Sequence, residues 1–380
     1  MASPDPLAVY VHWPYCARIC PYCDFNVYKQ RKDSGLLGAL CDDLRGWREW
    51  SGPREVSSIH FGGGTPSLMS AQDVRAVIET VAAQWNLQPD AEIAIEANPQ
   101  DADKAVWQDY ALAGINRLSL GVQSFHDLAL ELLGREHNGA QGELALELAL
   151  ESFPSVSLDL IFGWAGQTKA LLESDVELAL TYAPQHISAY QLTIEEGTAF
   201  AKAEDRGQTR AVAAEQSAGF YEAVQDAFTA AGYAHYEVSN FAKAGHRSHH
   251  NLAYWQGRDY VGIGPGAHGR LTLDGTRVAT VAEMRPQAYQ DRVLKTGTGI
   301  TEKETLSPTQ WAEEYLLMGL RIEEGISRER FAEIGGQPLP KAALQSLVDQ
   351  GVISCKGDKI AASHAGRLVL NMVTEKLLLG

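Results

Sequence analysis

Cysteine is scarce in this chain, five residues in 380, too few for the dense disulfide framework of a small secreted fold. Positive charge is also in deficit. Lys and Arg number 32 against 48 Asp and Glu, for a formal net charge of −16. That balance excludes nucleic acid or an anionic membrane as the main ligand, because both draw on a cationic face. A long apolar run is missing too, and nothing approaches the roughly 20 residues that cross a bilayer. The first residues, Met1-Ala2-Ser3-Pro4-Asp5-Pro6, carry neither the basic nor the apolar segment of an export signal. Together these absences predict a protein of the reducing cytoplasm. Short repeats and low-complexity tracts are lacking as well. What remains is ordinary globular composition, 45% hydrophobic and 21% charged, able to bury a sizeable core. The length allows two or three domains, or one large α/β barrel with an appendage.

The few cysteines are not scattered. Cys16, Cys20 and Cys23 fall within eight residues, directly after a strand-like run at 7–13, while Cys41 and Cys355 stand far away. Three thiols this close cannot serve a framework of pairs. They can hold three irons of a [4Fe-4S] cluster and leave the fourth iron open, and an open coordination position is where a metal meets a ligand. A zinc site is the competing reading, with His12 or Asp24 as the fourth ligand.

Apolar strand-like runs at 7–13, 56–61, 92–96, 117–120, 156–162 and 186–192 alternate with helical patterns at 36–50, 71–85, 104–113, 144–152 and 171–182. Strand-then-helix repetition predicts an α/β fold, a parallel sheet with helical crossovers. Six strands suit a partial (β/α)6 TIM-like barrel. Polar and glycine-bearing residues sit at the strand ends, where barrel enzymes assemble their sites. They are the cysteines, Gly62-Gly63-Gly64-Thr65-Pro66, then Glu96, Asn98 and Pro99, Gly121-Val122-Gln123-Ser124, Asp159 with Gly163, and Gln191. One concave site is expected. A helical stretch at 211–231 follows, then 233–241 and an aromatic- and histidine-rich segment to Gly269. A polar break at 295–305 precedes helices at 310–321, 328–334 and 341–349, a hairpin at 352–355 and 359–362, and a last helix at 365–378. That order predicts a C-terminal winged-helix-like α+β module. Its nearly balanced charge points to a lid or an interaction module and away from DNA. The divisions are 1–235 (barrel), 236–300 (extension) and 301–380 (C-terminal module).

Tyr10-Val11-His12-Trp13-Pro14-Tyr15-Cys16, the CxxxCxxC spacing and Tyr22 resemble the radical S-adenosylmethionine superfamily. Ile95-Glu96-Ala97-Asn98-Pro99, the block from Ser119 to Phe125, Arg135-Glu136 and the block from Asp159 to Gly163 are similar to its coproporphyrinogen dehydrogenase-like branch. The resemblance implies that Cys16, Cys20 and Cys23 hold the cluster. It implies S-adenosylmethionine contacts at Tyr10, Tyr22, Gly63, Gly64, Thr65, Glu96, Gln123, Arg135 and Asp159. Trp164-Ala165 departs from the Leu-Pro usual in the branch and bears on a loop. Two features favour its haem-chaperone family over its decarboxylating enzymes. Phe25 stands where the enzymes keep a further cysteine, and the blocks Tyr236–Ala242, His250-Asn251-Leu252-Ala253-Tyr254-Trp255 (HNxxYW) and Gly262–His268 resemble the chaperones. The implied ligand is haem, passed to haem-requiring respiratory proteins, with His250 and His268 as contacts. The alternative is an oxygen-independent coproporphyrinogen III dehydrogenase. Physically, an imidazole can ligate haem iron, and Tyr254 and Trp255 offer flat faces to a porphyrin. His249 competes with His250 for the ligand role.

Overall fold

In the computed structural model, residues 5–29 and 35–379 are described. Met1–Pro4 of the stretch read for an export signal lie outside the described residues. The central strand, β1 (Leu7–Trp13), is buried along nearly its whole length, as a strand covered on both faces must be. Beside it run β2 (Glu55–Gly63), β3 (Asn86–Ala97), β4 (Arg117–Gln123), β5 (Ser155–Phe162) and β6 (His186–Gln191), each parallel to the one before. These are the six strands expected. The crossovers include α1 (Leu36–Ser51), α2 (Ala71–Gln84), α3 (Lys104–Ala113), α4 (Gly139–Ser152) and α5 (Lys169–Tyr182). Local sequence explains them. In α2, Ser70 and Asp73 form a capping box and Val74, Val77, Ile78 and Val81 make one buried stripe, the spacing of an amphipathic helix.

The sheet is larger than expected. After the long helix α6 (Ala214–Ala230), a hairpin of β7 (Ala234–Glu237) and β8 (Asn240–Ala242) continues it antiparallel beyond β6. Then α7 (His249–Trp255) leads into β9 (Tyr260–Ile263), which lies parallel to β1 on its other side. Three antiparallel strands follow, β10 (His268–Leu273), β11 (Thr276–Ala282) and β12 (Ile300–Thr305). The twelve-stranded order is β12-β11-β10-β9-β1-β2-β3-β4-β5-β6-β8-β7, with unpaired ends, so the barrel is open. Two expectations change here. The boundary at 235/236 runs through β7, and the stretch 236–300 supplies strands to both sides of the barrel sheet. The polar break at 295–305 is largely the edge strand β12, five of whose six residues are exposed. Charge on an edge strand blocks pairing with another chain.

The C-terminal unit has its own core, with Leu316, Leu320, Ile326, Leu347, Ile360 and Val373 at its centre. Helices Pro308–Gly319, Arg328–Gly335 and Lys341–Asp349 precede the hairpin Ile353–Lys356 and Lys359–Ala362, to which Ile326–Ser327 adds a third antiparallel strand. The expected last helix is two, His364–Leu368 and Leu370–Leu379, broken at Val369. The unit meets the barrel at β7, where Glu323 N donates to Tyr236 O at 2.9 Å and Arg367 donates to His235 O at 3.0 Å. Among the described residues, no helix is long and apolar enough to cross a membrane.

Candidate cofactor cavity

Pro14 ends β1 and turns the chain into the cysteine loop. The loop is closed at its base by a two-residue parallel pairing of Tyr15–Cys16 with Tyr28–Lys29, and Tyr28 N donates to Pro14 O at 2.7 Å. Asn26 ties the returning arm down: its amide donates to Pro265 O at 2.9 Å and to Met284 O at 2.8 Å. The glycine run after β2 supplies the second anchor, through Gly64 N to Trp13 O at 2.7 Å and Thr65 N to Tyr15 O at 2.8 Å. These contacts demand glycine. A Cβ at Gly64 would lie 2.7 Å from Tyr15 O, and one at Gly63, where φ is 108°, would lie 2.6 Å from the His12 ring. Only glycine accepts both the close approach and that backbone angle.

Cys16, Cys20 and Cys23 line a cavity of about 380 Å³ at the C-terminal ends of the strands, and all three are free thiols. Burial pushes the Cys16 thiol up and raises Cys23 to about 11. Such thiols stay protonated at neutral pH until a cation meets them. The donor set fits a thiolate-ligated cluster. The zinc reading fits poorly. Among the described residues no three His, Cys, Asp or Glu side chains converge as ligands of one ion. The His12 ring already bonds Tyr10 Oη through Nδ1 at 3.1 Å and Asn26 O through Nε2 at 3.0 Å.

Strand ends supply the rest of the wall. Glu96 is held from two sides: His60 Nε2 lies 3.0 Å from Oε1, and Gly63 N donates to Oε2 at 3.3 Å. Asn98 donates to Thr65 Oγ1 at 3.1 Å and accepts from Arg135. The Arg135 guanidinium also donates to Gly121 O at 2.9 Å and to Cys20 Sγ at 3.4 Å, while its Nε is buried without a partner. Gln123 has φ of 70° beside a register shift in the β4–β5 pairing. A bulge of this kind re-aims a side chain at some cost in strain. Asp159 accepts from Ser119 Oγ at 2.7 Å and from Ser157 Oγ at 3.1 Å, and burial raises its carboxyl to about 6. The cavity lining therefore offers two guanidiniums, Arg18 and Arg135, four carboxylates, Asp24, Glu96, Asp159 and Glu195, and several amide groups beside the three thiols. Its exposed lining mixes apolar side chains with polar and charged ones, Arg18, Asp24 and Glu195 among the latter. Phe25 is 61% exposed, Tyr190 42% and Ile19 40%, and all three belong to the cavity lining.

Of the residues expected as contacts, Tyr22, Gly63, Gly64, Thr65, Glu96, Gln123, Arg135 and Asp159 come together here with the three cysteines. Tyr10, His250 and His268 do not line the cavity. Tyr10 lies beneath it, 6.2 Å ring to ring from His60. His268 is exposed at the start of β10. The expectation of a haem contact at His250 needs correction. The ring is 1% exposed, with Nδ1 3.2 Å from Ser58 Oγ and Nε2 2.8 Å from Tyr254 Oη, so neither nitrogen is free for an iron. Trp255 is half-buried, with the Arg321 guanidinium 5.1 Å from its ring centre. His249 beside it is exposed. Sequence reasoning missed His60, Ser119 and Tyr190. A polar residue inside an apolar strand run was the available signal for His60.

The sequence matches the Radical SAM superfamily over residues 10–179. It is 36% identical to "Radical S-adenosyl methionine domain-containing protein 1, mitochondrial" of Bos taurus, covering 99% of this chain and 89% of that protein. It is 35% identical to "Heme chaperone HemW" of Bacillus subtilis, covering 96% of this chain and 97% of the relative. The fold is similar to that of the coproporphyrinogen III oxidase HemN from Escherichia coli, with a TM-score of 0.81 over 99% of this chain and 91% of that one, at 20% identity.

Proposed function

Because the chain belongs to the HemW family of radical S-adenosylmethionine proteins, we propose that it is a haem chaperone, binding haem and delivering it to haem-requiring respiratory proteins in the cytoplasm. Cys16, Cys20 and Cys23 would hold the [4Fe-4S] cluster, and the strand-end wall would hold S-adenosylmethionine. When bound, the cluster supplies an open iron that can chelate the cofactor's amino and carboxylate groups and pass it an electron.

The chain's own residues do the rest. Glu96, fixed between His60 and the Gly63 amide, is an acceptor for the N–H of the methionyl amino group. Arg135 holds Asn98, Gly121 and Cys20 in one constellation, which fixes the wall relative to the cysteine loop. Asp159, presented by two serines, accepts from a hydroxyl or amine. Gln123 reaches the same space from its bulge.

The observation that carries the chaperone reading is the group of exposed apolar side chains in the cavity lining, Phe25, Tyr190 and Ile19. A chamber for radical turnover must shut out water and oxygen, whereas Phe25 with 61% of its surface in solvent offers a flat landing face for a porphyrin. Ile19 and Tyr190 extend that face. It supports docking at the mouth in place of ligation at His250.

Anaerobic reconstitution followed by two parallel assays tests this. Haem titration and transfer to an apo-haemoprotein should succeed, and Phe25→Ser should weaken haem binding about tenfold while His249→Ala leaves it unchanged. The second assay supplies coproporphyrinogen III, S-adenosylmethionine and a strong reductant. Sustained formation of protoporphyrinogen and deoxyadenosine there would replace the chaperone reading with the decarboxylase.

A further inference from the structure

The most characteristic block of the sequence, HNxxYW, lies away from the cavity, yet it is built into the cavity's floor. Side chains on one face of a strand recur every second residue, and three strands aim such sets into the barrel interior. From β1 comes Tyr10; from β2 come Ser58 and His60; from β3 come Glu92 and Glu96. The helix α7 plugs the space below them. Its first turn is anchored on Glu92 Oε1, which accepts from Ser248 Oγ at 3.2 Å and from His250 N at 3.1 Å.

From that anchor His250 rises as a buried post. Its ring stacks on His60 with centroids 4.8 Å apart and planes 15° from parallel. Ser58 and Tyr254 hold its two nitrogens, so the post cannot rotate without breaking a bond at each end. His60 in turn has one side-chain partner, Glu96, through Nε2. Its Nδ1 is buried and, among the described residues, without a partner, so no other hydrogen bond described orients this ring. The stack on His250, with Tyr10 at 6.2 Å on the same ring, is what fixes its plane. Glu96 then carries the constraint to the Gly63 amide.

We propose that His250 is a positioning residue of the S-adenosylmethionine cavity, clamping His60 so that its Nε2–H holds Glu96 in place to receive the cofactor. This rests on the reading of the cavity as a cofactor site and gives the HNxxYW block a role that needs no haem contact. What matters at position 250 is then a flat ring stacked on His60, with its metal-binding capacity unused.

Two substitutions separate the roles. His250→Phe keeps the flat ring and removes any ligand to iron, and His250→Gln keeps polar contacts and removes the stack. S-adenosylmethionine affinity of the cluster-loaded chain, measured by equilibrium dialysis, should fall about tenfold in H250Q and stay within about threefold of wild type in H250F. Haem affinity should be unchanged in both. The His60 ring nitrogens, followed by selective 15N-histidine labelling, should report a pure Nε2–H tautomer in wild type and H250F and a mixture in H250Q. A merely structural role would lower stability in both variants without that tautomer change. Equal cofactor affinity in H250Q and wild type overturns the proposal, as does loss of haem binding in both variants. If neither variant folds, the wild-type chain decides: S-adenosylmethionine must shift the His60 and His250 ring signals together, and a shift confined to other histidines overturns the proposal. Failure of wild type to bind S-adenosylmethionine at all overturns the cofactor reading as well.

Discussion

Asp159→Asn should make the protein more stable at neutral pH while weakening its grip on the cofactor. The carboxyl is raised from about 3.8 to about 6, with burial as the largest cause and the serine hydrogen bonds opposing it. Its proton is therefore held more tightly in the folded chain than in the unfolded one. Between about pH 4 and pH 6 the native state binds more protons, so stability falls as pH rises through that window and the full penalty is present above it. A rise of roughly 2 on the pH scale corresponds to about 3 kcal/mol. An asparagine escapes this penalty, but its amide must find an acceptor beside Ser119 and Ser157, which returns about 1–2 kcal/mol of the gain. The net expectation is a stabilisation of about 1–2 kcal/mol near pH 8 that shrinks towards zero near pH 5. Denaturant or thermal unfolding of wild type and variant under anaerobic conditions at the two pH values measures it. Glu237, also raised by burial, to about 7, is common to both proteins and cancels in the comparison. A gap between variant and wild type that is the same at both pH values, or a variant less stable at the higher one, would refute the reasoning.

Gly64→Ala should cost about 1–3 kcal/mol and lower iron content after reconstitution, because its methyl group meets the Tyr15 and Trp13 carbonyls at 2.7 and 2.9 Å. Hydrogen exchange at the Thr65 amide, which loses its anchor, reads the local part of that cost. Arg135→Lys keeps the charge but not the fork that spans Asn98, Gly121 and Cys20. Cofactor affinity should drop about 10- to 100-fold, in line with one or two charged hydrogen bonds at about 1.5–3 kcal/mol each, with circular dichroism unchanged. Cys20→Ser should abolish the broad visible absorption of the cluster and cofactor binding together, yet leave the melting curve close to that of the wild type handled without iron.

The barrel strands were legible because each is a compact apolar run followed by a helix, and the site was legible because its polar residues interrupt those runs at one end. The missed parts share a cause. β9 is four residues, Tyr260–Ile263, too short to show alternation, and its partner β1 lies about 250 positions earlier, so no local pattern announces the pairing. β12 reads as polar because Glu302, Lys303 and Glu304 face solvent from an edge. His250 was misread for a related reason. Sequence shows an imidazole beside two aromatic rings, but whether its nitrogens are free depends on Ser58, a residue 192 positions away that supplies the hydroxyl beside Nδ1. Arg135 was singled out by resemblance, although only the fold reveals that it donates to Cys20 Sγ.

The ties of the cysteine loop bear on how the protein ages. Pro14, Tyr15, Asn26 and Thr65 hold the loop by backbone and amide bonds that involve no thiol. Loss of a cluster from such a loop would leave these ties intact. Reloading would then meet a loop already held in shape by these bonds.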